Sequence, residues 1–412
     1  MKRSFSVFAV ILFMMVACKH PEKNNNIVVG KIDSIRSNIL GEERKIWVYV
    51  PEGASDPKKR FPVVYLLDGD DHFTPVKGII QYLSENAVCP DMILVGIPNT
   101  DRTRDLTPTK SMLMPDGTKS VGLKTSGGGE KFESFIEKEL IPHIDSVYPV
   151  APYRLLIGHS FGGLTVMNIV INHTDMFNSY VAIDPSMWWD GKKLLNQAHD
   201  ILSQKKFAGK SLYLAIANTM PGSMDTLQVR IDTTGNTAHI RSILALKDIL
   251  QHNMASGLTF GYKYYKDDNH GSVPLIAEYD AFHFLFSYYK MPHEFDGKLF
   301  DRHISFDPAS AFSEHFDEVS KRMGYKVLPP EDMLAGLGNY YYRNGNFPER
   351  GYALLMLNVK NYPYSFDANN NMGDYYNHQK DKAKAAEYYN KALAIKDNPE
   401  TKKKLDSLKG KK

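Results

Sequence analysis

From about residue 27 onward, short β-branched runs bounded by Gly, Pro, Asn or Asp predict strands. They lie at Ile27–Val29, Lys45–Val50, Val63–Leu67, Ile93–Ile97, Arg154–Ile157, Tyr180–Ile183, Leu212–Ala217 and Thr259–Tyr265. Stretches of helical period lie between the later runs. In Glu130–Tyr148, for example, Phe132, Phe135, Ile136, Leu140, Ile141 and Ile144 share one face. Near-continuous apolar strands alternating with helices predict an α/β fold with a largely parallel sheet covered on both sides. The early strands are closer together and are expected to be antiparallel.

Past about Lys290 the strand signals fade and the chain reads as helical. An internal echo appears there. Leu337-Gly338-Asn339-Tyr340-Tyr341 returns as Met372-Gly373-Asp374-Tyr375-Tyr376, with the two glycines 35 positions apart. This resembles the tetratricopeptide pattern, whose period is about 34 residues. The second copy continues it with Ala385, Tyr389, Ala392 and Pro399, whereas the first places Arg350 where a small residue should pack between two helices. Two repeats are few for a free-standing solenoid. The expected role is therefore a helical cap on the main domain, with a protein-binding platform as the alternative.

The amino end has a different character. Lys2 and Arg3 precede an apolar run, Phe5–Val16, that stops at Ala17 and Cys18. At 12 residues the run is shorter than the roughly 20 that span a bilayer, and the layout is that of a secretory signal peptide. Met15-Val16-Ala17-Cys18 resembles the bacterial lipobox, which implies acylation of Cys18 and a lipid anchor on the membrane. The chain is thus expected to be an exported lipoprotein of a bacterial cell envelope, in the outer membrane, on a face left open. The expected organisation is a signal peptide over 1–17, a polar tether over 18–27, an α/β domain over 28–290, a connecting segment over 291–328 and a helical region over 329–408.

Composition narrows the function. The chain is 43% hydrophobic with a formal charge of +3, which supports a large core and points to no nucleic-acid partner. Cys89 is the one cysteine besides Cys18, so an acylated Cys18 leaves no intrachain disulfide. No His-Glu-x-x-His, paired-cysteine or calcium-loop spacing occurs, and no metal site is expected.

The chemistry concentrates at Gly158-His159-Ser160-Phe161-Gly162-Gly163. The strand Tyr153–Ile157 leads into it and the apolar run Leu164–Ile171 follows. Gly-x-Ser-x-Gly between strand and helix is the nucleophile elbow. Its glycines make room for a sharp turn that exposes Ser160, and the Phe161 N–H falls at a helix amino terminus, ready to meet an oxyanion. A serine needs a base, and this fold supplies triad members in the order serine, acid, histidine. His270 follows the last predicted strand after a polar loop and is the expected base, whereas His283 sits in an aromatic helical run. For the acid, Asp225 on the loop after Leu212–Ala217 is preferred, with Asp184, Asp267 and Asp268 as rivals. The second oxyanion donor is expected at the backbone N–H of Asp70, in Asp68-Gly69-Asp70-Asp71 after the third strand.

These pieces, taken in order, resemble the esterase family that includes enterochelin esterases, esterase D and several feruloyl and acetyl-xylan esterases. The matching residues are Leu66-Leu67-Asp68-Gly69, then Asn99, Arg102, Asp105 and Pro108, then Gly127-Gly128-Gly129, the elbow, Pro185-Ser186-Met187-Trp188-Trp189, and His270-Gly271. The resemblance covers about residues 30 to 290. It implies an α/β-hydrolase fold, a carboxylic-ester hydrolase working through an acyl-enzyme, and no cofactor. It also implies that Arg102 and Trp188 bind or frame the substrate, which would be a carbohydrate-linked ester such as an acetyl or feruloyl group, or a siderophore. Two plainer roles stay open: pairing of Arg102 with Asp105, and Trp188 as a core residue. Some relatives manage with a serine–histidine dyad, and Asn218-Thr219-Met220 after the penultimate strand leaves the third member open. The competing class is an inactive hydrolase scaffold that binds a glycan or siderophore.

Overall fold

A computed structural model of the chain describes residues 26–410, apart from 55, 57, 58, 223, 302, 346 and 409. The segment expected to be an export signal, Cys18 and most of the expected tether lie outside the described residues. The described residues form one eight-stranded sheet in the order β1-β2-β4-β3-β5-β6-β7-β8. Its strands are β1 Lys31–Arg36, β2 Glu43–Tyr49, β3 Phe61–Leu67, β4 Ile93–Ile97, β5 Val150–His159, β6 Ser179–Ile183, β7 Ser211–Ala217 and β8 Thr259–Tyr265. The first two join antiparallel and the other six run parallel. The alternation of patterns predicts this largely parallel, covered sheet, and the family resemblance implies the α/β-hydrolase architecture that it forms.

Burial explains which strands were easiest to read. Every residue of β3, β4 and β6 is buried, as expected for parallel strands covered on both faces. The edge strand β1 alternates exposed and half-buried positions. The predicted first strand, Ile27–Val29, is instead exposed and precedes β1. An apolar triplet misled there, because an edge strand with one covered side carries only alternate apolar residues.

The helices that matter most for the site are α1 Gly69–Glu85, α2 Arg102–Asp105, α3 Gly129–Phe135, α4 Ile141–Val147, α5 Phe161–Asn172, α6 Trp189–Leu202, α7 Gln228–Ile231, α8 Ala238–His252 and α9 Val273–Leu285. Alternation along β3 divides the core in two. Val63, Tyr65 and Leu67 face Phe132, Leu164, Leu195 and Ile243 of α3, α5, α6 and α8. Val64 and Leu66 face Phe73 and Ile80 of α1 and Phe282 of α9. Residues beyond 290 extend this second layer. Helices α10 His293–Leu299 and α11 Pro308–Met323 bury Phe295, Phe312, Phe316 and Met323 in it. No helix among the described residues is long and apolar enough to cross a membrane.

The echo corresponds to two helix pairs: α12 Glu331–Tyr340 with α13 Pro348–Asn361, and α14 Phe366–His378 with α15 Lys382–Ile395. Helix α16, Pro399–Leu408, follows. The repeated glycine does the same job in both. A Cβ on Gly338 would lie 2.8 Å from Leu355, and one on Gly373 would lie 2.5 Å from the Tyr389 ring, so each glycine admits a side chain of the partner helix. The mismatch at Arg350 also has a cause. A π turn at Tyr341–Gly345 adds a residue to the first pair, and Gly351 takes the small position against Gly338 and Tyr342. Arg350 turns outward, where its guanidinium donates to the carbonyls of Leu299, Asp301 and Ile304.

Two buried carboxyls set a pH trend. Burial pushes Glu133 up to about 8 despite a hydrogen bond from Asn168, and it pushes Glu278 up to about 8. Both protons are retained in the fold where the unfolded chain would have lost them. Their contribution is therefore full below the unfolded value of about 4.3 and is lost as pH rises through about 8. The unfolding free energy is expected to fall from pH 5 to pH 8 by at most about 1.4 kcal/mol per pH unit per group, and the melting temperature with it. Glu278→Gln should roughly halve that slope in thermal melts. A wild-type profile flat over that range would count against the assignment.

Candidate active site

Strand β5 delivers Ser160 onto a turn with φ 59° and ψ −114°, a conformation a non-glycine residue holds only when its surroundings enforce it. Here they do. The Ser160 N–H donates to Ile183 O at 3.0 Å, and Ser186 N–H donates to Ser160 O at 3.1 Å. The glycines make the turn possible: a Cβ on Gly158 would lie 2.4 Å from Gly162 O, one on Gly162 would press on Asp68 Oδ2 at 3.2 Å, and one on Gly163 would lie 3.0 Å from Ile183 O. Phe161 opens α5, so its N–H lacks an intrahelical acceptor.

His270 arrives on the loop after β8. Asn269 shapes that loop by accepting from the N–H groups of Gly271 and Ser272, and Asn218 ties the end of β7 to it through Asp268 O and Lys266 O. His270 Nε2 lies 3.0 Å from Ser160 Oγ, and its Nδ1 lies 2.6 Å from Asp184 Oδ2. The three groups form a continuous hydrogen-bonded line.

The acid in that line is Asp184, which corrects the expectation of Asp225. Asp225 is exposed, and its carboxylate accepts from the N–H groups of Leu227 and Gln228, both at 2.8 Å, to build the turn into α7. Asp184 directly follows β6, is fully buried, and has φ 41°. Its N–H donates to Ala215 O, while its Oδ1 accepts from Ala217 N–H at 2.9 Å. Burial opposes its ionisation, but hydrogen bonds from His239, His270 and Ala217 outweigh it and hold the carboxyl well below the usual range. Asp267 is exposed, and Asp268 accepts from the Ser272 hydroxyl.

Sequence reasoning missed two histidines here. His239, in the first turn of α8, places Nε2 at 2.8 Å from Asp184 Oδ2. His159, the variable residue of the elbow motif, lays its ring 4.5 Å from that of His270. Burial, then His270 and His72, push His159 down to about 3, so it is neutral and adds no positive charge beside the base.

Arg102 does not pair with Asp105, which belongs to Arg44 and Arg104. It grips Asp68 with two bonds of 2.7 and 2.9 Å, donates to His159 O, and lies over the Phe161 ring at 5.5 Å. Asn99 adds a third bond to Asp68. Asp68 has φ 52°, and its Oδ2 would be 3.2 Å from a Cβ on Gly162. The start of α1, with the Asp70 N–H in its first turn, is thus clamped beside the start of α5. Trp188 is half-buried, 6.1 Å from the Phe161 ring, while Trp189 is buried and donates to Thr109 O.

Asp184, His239 and His270 are also the one group among the described residues whose donors could gather round a metal. Their spacings argue otherwise. Separations of 2.6 and 2.8 Å are those of hydrogen bonds, whereas donors on a tetrahedral zinc stand about 3.3 Å apart.

The family described as "Putative esterase" matches residues 37–270, more than half of the chain. A crystal structure of an IroE-like serine hydrolase from Shewanella oneidensis is 32% identical, covers 80% of this chain and 99% of its own, and superposes with a TM-score of 0.68. Ferri-bacillibactin esterase BesA of Bacillus subtilis is 28% identical over 190 residues, which are 43% of this chain and 65% of that protein. A siderophore enterobactin esterase of Emericella nidulans is 26% identical over 240 residues, 51% of this chain and 77% of its own. The match to BesA spans just under two thirds of that protein's length. On the family match and the 32% identity over nearly the whole of a hydrolase structure, the chain belongs to this esterase family of α/β-hydrolases.

Proposed function

We propose that this protein is a serine carboxylic-ester hydrolase that cleaves siderophore esters through an acyl-enzyme on Ser160. The observation that carries this reading is the unbroken line from Ser160 Oγ through His270 to Asp184. His270 Nε2 takes the Ser160 proton as Oγ attacks the ester carbonyl carbon, and Asp184 stabilises the imidazolium so formed. The carbonyl oxygen, now anionic, is met by the N–H groups of Phe161 and Asp70 at two helix amino ends. Collapse breaks the C–O bond, and His270 returns its proton to the departing alcohol. Water then attacks the acyl-enzyme with His270 again as base, releasing the acid and restoring Ser160.

The substrate class rests on the curated relatives, which are named for siderophore esters, and on the rim of the cleft. Half-buried Trp188, beside the Phe161 ring, offers apolar aromatic surface near Ser160 that suits a large aromatic ester better than an acetyl group, while the Arg102 charge is spent on Asp68. Export on the lipobox of residues 15–18 would put this chemistry at the cell envelope. The tetratricopeptide-like helices act as a cap, since Leu334, Tyr341 and Leu354 share a core with the sheet. Purified protein is expected to hydrolyse ferric bacillibactin or ferric enterobactin with a kcat/KM at least about tenfold above that for acetylated xylan or a feruloyl ester, a 1.4 kcal/mol preference, read by liquid chromatography of the products. The reverse order would reject the siderophore assignment and keep the esterase.

A further inference from the structure

We infer that His239 is a positioning residue of this site, holding the Asp184 carboxylate so that Oδ2 faces His270. The inference rests on the triad reading above. Asp184 is completely buried, so protein donors must fix its orientation. Ala217 N–H supplies one, on Oδ1. That bond alone leaves the carboxylate able to swing about its Cβ–Cγ bond. His239 removes that freedom, because its Nε2 meets Oδ2 at 2.8 Å, on the same oxygen that His270 Nδ1 meets at 2.6 Å. The two rings stand at 88° with centroids 5.1 Å apart, so both point N–H groups at one oxygen without stacking on each other.

The position of His239 is itself built. Its carbonyl accepts from the Ser242 hydroxyl at 2.6 Å. The turn before α8 is closed by Thr237 on Asp232 and by the Arg241 guanidinium on the carbonyls of Asp232 and Thr234. The side chain is 16% exposed. His239 acts on the chemistry through Asp184, so its loss should slow turnover and spare binding. A loosened carboxylate lets His270 rotate, and the 3.0 Å contact with Ser160 Oγ is then populated only part of the time.

The test uses the full chain and a short-chain nitrophenyl ester. His239→Ala should lower kcat by about tenfold to a hundredfold, with KM close to wild type and a folded protein whose melting temperature is lowered but well above the assay temperature. His239→Gln, whose amide nitrogen reaches the place of Nε2, should recover most of the loss. In an Asp184→Asn background His239→Ala should cost less than about twofold, because the effect runs through the carboxylate. The His270 Nδ1 proton, read by its far-downfield NMR signal, should stay near its wild-type position and width in His239→Gln and broaden or shift in His239→Ala. Wild-type kcat and an unmoved proton in His239→Ala would overturn the inference. So would a loss that persists in the Asp184→Asn background and is not rescued by Gln, since that marks a structural role. If His239→Ala does not fold, His239→Asn against His239→Gln decides, because only Gln reaches Oδ2 and equal rates would overturn the inference. Full turnover in Ser160→Ala would instead reject Ser160 as the nucleophile and with it the triad reading, and the NMR signal still reports on His239 in that case.

Discussion

Ser160→Ala is expected to lower kcat for a short-chain nitrophenyl ester by about a millionfold, leaving the residual rate that oxyanion donors and binding sustain by themselves. The fold should survive. The bonds that fix the elbow come from backbone atoms of residues 160, 183 and 186, and the side chain contributes only its contacts to His270 and Ser186. His270→Ala should cost as much. The double variant should be no slower than either alone, because the two groups act as one unit. Steady-state rates together with a melting curve check this. A serine-to-alanine protein that unfolds would lose both signals, whereas the account predicts loss of the first only.

Asp184→Asn is the second large effect, with an expected loss of about 10⁴-fold in kcat. Each carboxylate oxygen is already committed, Oδ1 to Ala217 N–H and Oδ2 to two imidazoles. An asparagine amide can be turned either way, and each way points an NH₂ at a donor. With nitrogen toward His270, the ring must present an unprotonated Nδ1 and carry its proton on Nε2, where it cannot accept from Ser160. Asp225→Asn should leave kcat within about twofold, as for an exposed turn residue. The pair of variants, assayed side by side, separates the two candidates. A larger loss in Asp225→Asn than in Asp184→Asn would reverse the assignment.

The choice between those carboxylates shows where the sequence was legible. Buried parallel strands announce themselves, because every position of Phe61–Leu67 and Ser179–Ile183 must be apolar or small. The elbow announces itself because a Cβ on Gly158 would run into the Gly162 backbone and one on Gly162 would press on Asp68. His270 could be placed by its order in the chain and by the strand before it. The acid could not. The ends of β6 and β7 are neighbouring rungs, about 4.8 Å apart, and either can reach the same imidazole. What decides it is the approach of His270 Nδ1 to Asp184 Oδ2 at 2.6 Å, across 86 positions of chain. That approach is a tertiary contact with no trace in local pattern. His239 was hidden for a related reason. Its sequence context is an ordinary helix start, and its meaning depends on a carboxylate 55 positions earlier. At Arg350 the expected packing failed because one π turn shifted the register by a residue, so that Gly351 took the place.

Covalent trapping at the nucleophile tests the central claim most directly. The protein is treated with a serine-directed alkyl phosphonate and digested, and the adduct is located by peptide mass mapping. The account predicts a single adduct, on Ser160, formed in step with loss of ester hydrolysis and absent from His270→Ala over the same interval. Hydrolysis that continues after Ser160 is fully labelled, or an adduct on another residue that tracks the loss, would contradict it.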